Sequence, residues 1–163
     1  MKQLQNIDEY FFRLINSSGW NQMDELMILI SSKWFWIPLY ISILYYLYKT
    51  HQKDFLKILF SIGILIFIAD FGSVKLFKEI FQRTRPCHLL EDIRVVDGCG
   101  GPFGFISSHA ANSFAIAFLV SFLLKRFWWF VSLFSWAALV GFSRVYLGVH
   151  YPFDILGGMF WGL

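Results

Sequence analysis

Charged residues are scarce in this 163-residue chain: only 15% are Asp, Glu, Lys or Arg, whereas 57% are hydrophobic and 21% are aromatic. A soluble domain of this size has too small an interior to hide so much apolar surface. The net charge of +3 is low and the charges lie between apolar runs, which gives nucleic-acid binding no support. The composition therefore predicts a membrane protein, and the length predicts a single integral-membrane domain over residues 1–163.

Cysteine is nearly absent, since only Cys87 and Cys99 occur, both in one polar loop. Nothing near them supplies the remaining ligands of a zinc site, so we predict no metal there. The topology argued below places this loop outside the cytoplasm, which favours a disulfide over two free thiols. Residues 1–20 also lack the basic start and apolar stretch of a cleavable signal peptide, so the first spanning helix is expected to act as the insertion signal.

Long apolar runs fill most of the chain. They predict an all-α, polytopic membrane helix bundle with about five spanning helices, near residues 34–48, 55–77, 109–124 and 127–147 and from Pro152 onwards. The last run is still apolar at Leu163, so the native chain is expected to continue beyond it. Residues 4–15 place their apolar side chains on one helical face, which predicts an N-terminal amphipathic helix at the membrane interface.

Short basic connectors set the expected orientation of the bundle. The connectors at 49–57 and 125–126 carry Lys and Arg and are expected in the cytoplasm. By alternation, the 78–108 loop and the 143–151 turn share the opposite face. The sequence therefore predicts that the polar residues of these two segments meet at the extracytoplasmic surface.

The polar residues at this face suit a bound phosphate. Forked Arg donors match phosphate oxygens and a Lys neutralises a further one, which assigns phosphate binding to Lys78, Arg85 and Arg144. A glycine-rich loop then leads into the third span, where free helix N–H groups favour an anion and a serine hydroxyl adds a donor. The residues at this helix start are Ser107, Ser108 and His109.

Two histidines and an acid can supply the chemistry. Neutral His150 is the candidate nucleophile, because an imidazole can form a phospho-enzyme intermediate. Asp154 is expected to hold one of its ring nitrogens, and His109 to protonate the leaving oxygen. No carboxylate cluster suited to Mg²⁺ stands near these residues, so we expect a mechanism without metal or other cofactor.

Each of these residues alone has a simpler explanation, such as an interfacial cation or a polar helix cap. Asp70 lies within the second span, where it could pair with Lys75 or Lys78 or face a polar gap, and a structural role is favoured over a catalytic one. Arg83 and Arg94 could attract anionic head groups, but we expect them to face water.

Three motifs in this order resemble the type 2 phosphatidic acid phosphatase superfamily of lipid phosphate phosphatases and vanadium haloperoxidases. Its K-x6-R-P motif matches Lys78, Arg85 and Pro86, and its S-R-x5-H-x3-D motif matches Ser143, Arg144, His150 and Asp154. Its P-S-G-H motif matches only in part, because residues 106–109 read Ile-Ser-Ser-His. The resemblance implies that His150 is the nucleophile and His109 the general acid, and that Asp154 supports His150. It implies phosphate ligands at Lys78, Arg85, Ser107, the Ser108 backbone and Arg144.

The resemblance implies a membrane lipid phosphatase at the outer face of a bacterial inner membrane, with membrane lipids as its partners. Undecaprenyl diphosphate is the favoured substrate, and phosphatidylglycerophosphate, phosphatidic acid and the 1-phosphate of lipid A remain alternatives. Transfer of the phosphate to another lipid is a second enzymatic hypothesis. A lipid-binding or transport protein without catalysis is the third, and the oligomeric state is left open.

Overall fold

The computed structural model describes residues 2–163, and their regular secondary structure is helical, apart from one isolated β-bridge between Thr84 and Phe103. This confirms the all-α fold class. The helices are α1 (Lys2–Ser17), α2 (Asn21–Ser31), α3 (Ile37–Thr50), α4 (Phe55–Gly72), α5 (Glu79–Phe81), α6 (Pro86–Leu89), α7 (Ser108–Leu124), α8 (Phe127–Tyr146) and α9 (Pro152–Gly162).

Helices α4 and α5 form one continuous helix, Phe55–Phe81, through a π-helical segment at Ser73–Lys78. This helix and α8 are long and apolar enough to cross a membrane by length and composition, and α7 is a shorter apolar helix. The 27 residues of Phe55–Phe81 extend roughly 40 Å. Its end therefore reaches past a hydrocarbon core of about 30 Å. The expected five spans and the interfacial position of α1 stay predictions.

Helix α7 is the centre of the bundle and packs against α4, α8 and α9. Its contact faces are small, with Ala110, Ala111 and Ala115 fully buried. Helix α9 meets this surface with glycines: a Cβ at Gly158 would lie only 2.6 Å from the carbonyl oxygen of Ser107. Such small residues let two helix backbones approach closely in a membrane. This approach sets the start of α9 beside the start of α7.

Helix α1 packs on α8 and α9 with its polar side. Asp8, Phe12 and Asn16, spaced by four residues, are its buried side chains. Asn16 fixes the helix, because its Nδ2 donates to the carbonyl oxygens of Arg94 and Tyr146 at 2.7 and 2.9 Å. The apolar face predicted from the sequence, which includes Leu4, Ile7, Phe11 and Leu14, is exposed. Helix α1 therefore buries two polar side chains, Asp8 and Asn16, on either side of Phe12, and leaves most of its predicted apolar face exposed.

We predict that Gly158→Ala destabilises the protein by about 1–3 kcal/mol, because the added methyl group meets backbone and forces α7 and α9 apart. Thermal unfolding in detergent measures the effect. Gly63→Ala is the matched control: Gly63 has open space around its Cβ position, so alanine there should be neutral or stabilise by about 0.5–1 kcal/mol. Equal melting temperatures for the two variants would contradict the close approach.

Candidate active site

The three sequence motifs meet at one end of the bundle. Lys78 Nζ donates to Ser108 Oγ at 2.8 Å, which joins the first motif to the second. The backbone N–H of Ser107 donates to the carbonyl oxygen of Asp154 at 2.9 Å, which joins the second to the third. At the junction, a Cβ at Gly104 would lie 2.9 Å from Asp154 Oδ2, 3.1 Å from the Arg85 side chain and 3.5 Å from His150 Nδ1.

His150 and Asp154 form a buried pair. Their side chains are 2% and 0% exposed, and His150 Nδ1 lies 3.3 Å from Asp154 Oδ2. The same carboxylate oxygen accepts the backbone N–H of Tyr151 at 3.0 Å, which caps the start of α9. Pro152 therefore does not prevent the pairing, since it occupies the first turn of α9, where its missing N–H costs nothing. The pair leaves Nε2 as the ring nitrogen able to attack a substrate.

Burial lowers the pKa of His150 from 6.5 to about 4, and the charges of Arg85 and Arg144 act in the same direction. The hydrogen bond and the charge of Asp154 oppose this lowering without cancelling it. His150 is therefore neutral near pH 7. A neutral imidazole has the free electron pair that a nucleophile needs.

A chain of hydrogen bonds holds Lys78. Its Nζ donates to Ser108 Oγ, Ser108 Oγ lies 2.6 Å from Ser73 Oγ, and Ser73 Oγ donates to the carbonyl oxygen of Asp70 at 2.7 Å. Ser73 and Lys78 bound the π-helical segment, a distortion common at functional sites. Ser108 is the first residue of α7, so the Ser found where the family motif has Gly needs no special backbone angle.

The second motif also caps α7. Ser107 is the residue before the helix, and its Oγ accepts the backbone N–H of Ala110 at 3.5 Å. The hydroxyl hydrogen of Ser107 stays able to donate to an anion. His109 follows in the first turn of α7 and, with Ser108, lines a cavity between the helices.

The two predicted phosphate-binding arginines are held by few partners. Arg85 Nε donates to the carbonyl oxygen of Phe103 at 3.2 Å. Burial lowers the pKa of Arg85, and the charge of Asp154 opposes this. Arg144 Nη1 bonds Ser31 Oγ, while its buried Nε has no hydrogen-bond partner within residues 2–163. A buried donor left open at such a place is available to an anion.

The loop before α7 is closed by a disulfide between Cys87 and Cys99, with 6.0 Å between their Cα atoms. This confirms the pairing predicted from the sequence. The closed loop includes His88, whose Nε2 lies 3.1 Å from the carbonyl oxygen of Gly100. Gly100 has φ +71 and its Cβ position faces the Arg85 guanidinium, so the disulfide also holds the backbone beside a residue predicted to bind phosphate.

Asp8 and Arg83 join the site without having been predicted there. Arg83 Nη1 donates to Asp154 Oδ1 at 3.0 Å and its Nη2 to Asp8 Oδ2 at 2.6 Å, and the guanidinium lies 4.2 Å from the centroid of the Tyr151 ring. Asp8 also accepts the backbone N–H of Phe153 at 2.8 Å. The expectation that Arg83 faces water is therefore wrong. The one available signal was the spacing of Asp8 with Phe12 and Asn16, which predicts a shared helix face.

Arg94 keeps 31% of its side chain exposed and donates to both carboxylate oxygens of Asp24 at 2.8 and 2.6 Å. Asp70 also differs from its predicted pairings, because Lys75 bonds Glu79 and Lys78 bonds Ser108. Asp70 instead faces a polar gap, as the alternative interpretation held.

That gap is part of a cavity of about 550 Å³ between α3, α4, α7 and α8. Ser108 and His109 line its end near the site, and Asp70 and Asn112 line the part beyond them. The rest of its wall is mostly apolar. The cavity therefore connects the candidate active site with the hydrophobic part of the bundle.

The chain matches the family model described as the PAP2 superfamily over residues 54–163. A lipid A 4'-phosphatase of Porphyromonas gingivalis is 33% identical over 168 residues, covering 100% of this chain and 71% of that protein. An undecaprenyl-diphosphatase of Sulfolobus acidocaldarius is 25% identical, and the match covers 93% of this chain and 71% of that protein. The crystal structure of a transmembrane PAP2-type phosphatidylglycerolphosphate phosphatase from Bacillus subtilis has a TM-score of 0.74 at 28% identity, covering 100% of this chain and 82% of that one.

We predict that Arg83→Gln destabilises the protein by roughly 3 kcal/mol, because it leaves two fully buried carboxylates, Asp8 and Asp154, without their cation. Arg13→Gln is the matched control. Arg13 pairs with Glu9 on the outer side of α1, where both side chains are about two-fifths exposed, so its loss should cost about 0–1 kcal/mol. Chemical or thermal unfolding in detergent measures the stability of both variants. Equal losses of stability would rule out a special role for Arg83.

We predict that His150 stays neutral on acidification to about pH 5, since its pKa lies near 4. Histidine ¹⁵N chemical shifts of the protein in detergent report the titration, and His150→Gln assigns the signal. Between pH 6.5 and 4 the unfolded chain binds a proton at this position that the folded chain does not, so the free energy of unfolding should fall as the pH drops through this range. A midpoint near 6.5 would show that burial does not control this imidazole.

Proposed function

This chain belongs to the PAP2 superfamily and is a hydrolase of phosphate esters, and from that premise we propose that it dephosphorylates a membrane lipid through a phosphohistidine at His150. The observation that carries the proposal is the hydrogen-bonded junction of the three motifs, from Lys78 through Ser108 and from Ser107 to Asp154. It brings a buried neutral imidazole, three cations and a helix start to one place.

In the proposed first step, His150 Nε2 attacks the phosphorus atom while the bond from phosphorus to the lipid oxygen breaks. His109, protonated, gives its proton to that oxygen, and the dephosphorylated lipid leaves. Asp154 Oδ2 accepts the hydrogen bond of Nδ1–H and stabilises the positive charge that develops on the ring. In the second step, water loses a proton to His109 and attacks phosphorus, which releases inorganic phosphate and restores His150.

The remaining site residues are proposed to bind the phosphate oxygens. Arg85 and the open Nε of Arg144 match two oxygens with planar donors, and Lys78 adds a point charge. The hydroxyl of Ser107 and the first backbone N–H groups of α7, including that of Ser108, complete the set. These donors stabilise the charge of the transition state and need no metal ion to do so. We therefore propose a metal-independent reaction.

The substrate is proposed to be a lipid phosphate with its hydrophobic part in the cavity beside His109. The relative with 33% identity is named for lipid A and the one with 25% identity for undecaprenyl diphosphate. This order favours a glycolipid phosphate over undecaprenyl diphosphate, which the sequence alone had favoured.

We further propose a single domain with about five spanning helices and a site that faces the extracytoplasmic side of a bacterial inner membrane.

The purified protein is expected to release inorganic phosphate from at least one lipid in a panel of lipid A, undecaprenyl diphosphate, phosphatidic acid and phosphatidylglycerophosphate. EDTA should not reduce the rate, and vanadate should inhibit it as a phosphate mimic. His150→Ala is expected to lower the rate by at least roughly 10³-fold, because it removes the nucleophile. His51→Ala is the control, since His51 lies in the connector after α3, away from the site.

Rapid quenching with a ³²P-labelled lipid is expected to trap a phospho-enzyme that is stable to base, labile to acid and missing in His150→Ala. Addition of a second lipid distinguishes hydrolysis from phosphotransfer by the labelled product. A lipid-binding or transport protein predicts no phosphate release and no effect of His150→Ala on lipid binding. That result would refute the proposed chemistry.

A further inference from the structure

Two hydrogen-bond acceptors in the apolar cavity have no task in the chemistry proposed above. Asn112 Nδ2 donates to Asp70 Oδ1 at 3.2 Å, so the amide and the carboxylate of this pair are fixed relative to each other. Asn112 Oδ1 is buried and has no hydrogen-bond partner within residues 2–163. Both residues line the cavity that begins at Ser108 and His109. The pair therefore presents oxygen acceptors to whatever fills this space.

The pair lies close to His109 and Lys78, two residues proposed to act on the phosphate. Asn112 follows His109 by three residues on α7, which places it about 5 Å deeper along the helix. Asp70 is on the facing helix α4, and the carbonyl oxygen of its backbone ends the hydrogen-bond chain that holds Lys78. A group of the substrate that reached the pair would be only a few bonds away from the phosphate.

Apart from the bond between them, neither acceptor receives a hydrogen bond from the surrounding wall within residues 2–163. Most of the wall is apolar, and its polar side chains, which include Lys33, Tyr40 and Ser113, form no hydrogen bond with the pair. The nearest cations on α4 and its continuation are engaged elsewhere, Lys75 with Glu79 and Lys78 with Ser108. A buried acceptor without a donor is unfavourable, and polar groups within a membrane bundle are usually functional.

We propose that Asp70 and Asn112 select lipid phosphates that carry an amide N–H or a hydroxyl group close to the phosphorylated head group. This inference rests on the proposed phosphatase function and names the substrate class of the same site. A lipid with amide-linked or hydroxylated chains brings a donor to the pair. An isoprenoid diphosphate brings none, and neither does a phosphatidic acid with ester-linked acyl chains. Phosphatidylglycerophosphate brings the free hydroxyl of its glycerol head group. The pair thus discriminates between the candidate substrates by chemistry and not by chain length.

The test uses four synthetic acylated glucosamine phosphates in detergent micelles. Their chain beside the phosphate is joined either by an amide or by the isosteric ester, and carries either a 3-hydroxyl group or none. Release of inorganic phosphate gives kcat/KM for each. The wild-type protein is expected to prefer the substrates with a donor by about tenfold or more, because a site built for a donor rejects an analogue that lacks it. The amide and hydroxyl arms identify which donor the pair binds.

Asp70→Leu and Asn112→Leu are expected to bring the ratio of kcat/KM for donor over donor-free substrates to within about twofold of one. Asp70→Asn, which keeps one carbonyl oxygen and the shape, should retain part of the preference. Ser61→Leu is the control, since Ser61 is an exposed polar residue on the same helix whose hydroxyl bonds the Lys57 carbonyl. It should leave the ratio unchanged. Thermal unfolding shows whether each variant is folded.

Equal kcat/KM values for the four substrates, or a preference for the donor substrates that persists in both leucine variants, would overturn the selection proposal. Either result would leave the phosphatase function standing. Failure of the wild-type protein to release phosphate from these glycolipids and from the wider lipid panel would overturn both. A preference that disappears only in the Asp70 and Asn112 variants supports the proposal, because a general structural defect would lower all four rates together.

Discussion

The site depends on one carboxylate. Asp154 holds the imidazole of His150, accepts the N–H of Tyr151, the residue before α9, and pairs with Arg83. Its backbone carbonyl oxygen accepts the N–H of Ser107. A carboxylate with no exposed surface is unfavourable without such partners. The requirement to satisfy it therefore joins three separate stretches of the chain. The imidazole of His150, the proposed nucleophile, is oriented by the same bonds that fix the start of α9.

Small residues make this arrangement possible in a bundle with large apolar side chains. The glycines of α9 and the alanines of α7 let the two backbones approach until Ser107 and Asp154 bond directly. Bulkier residues at these positions would leave the same motifs too far apart to share a substrate. The packing between α7 and α9 is thus part of the active-site geometry, although none of these residues is charged.

The sequence predicted the helical class, the disulfide and the family, because each has a signal within one short segment: an apolar run, two cysteines in one loop, and the spacing of the motifs. It also identified the motif residues that meet at the junction, namely Lys78, Ser107, Ser108, His150 and Asp154. It missed Arg83 and Asp8, because an arginine in a polar loop and an acid in an amphipathic helix ordinarily face water. The burial of Asp8 and the partial burial of Arg83 result from long-range contacts between residues 71 to 145 positions apart, which no local pattern reports. The pairing of Asp70 with Asn112 was hidden for the same reason, although the sequence singled out Asp70 itself.

The contact between Asp8 and the backbone of Phe153 has a consequence for biosynthesis. It spans 145 positions, so Asp8 on α1 has both of its partners, the Phe153 N–H and the Arg83 guanidinium, only after α9 has been synthesised. Contacts this distant in the chain form late, since closing the intervening loop costs entropy that only the completed structure repays. The candidate site therefore stays unassembled until α9 has been synthesised. The hydrogen-bond network around the pair of His150 and Asp154 is completed only when α1 and α9 have come together.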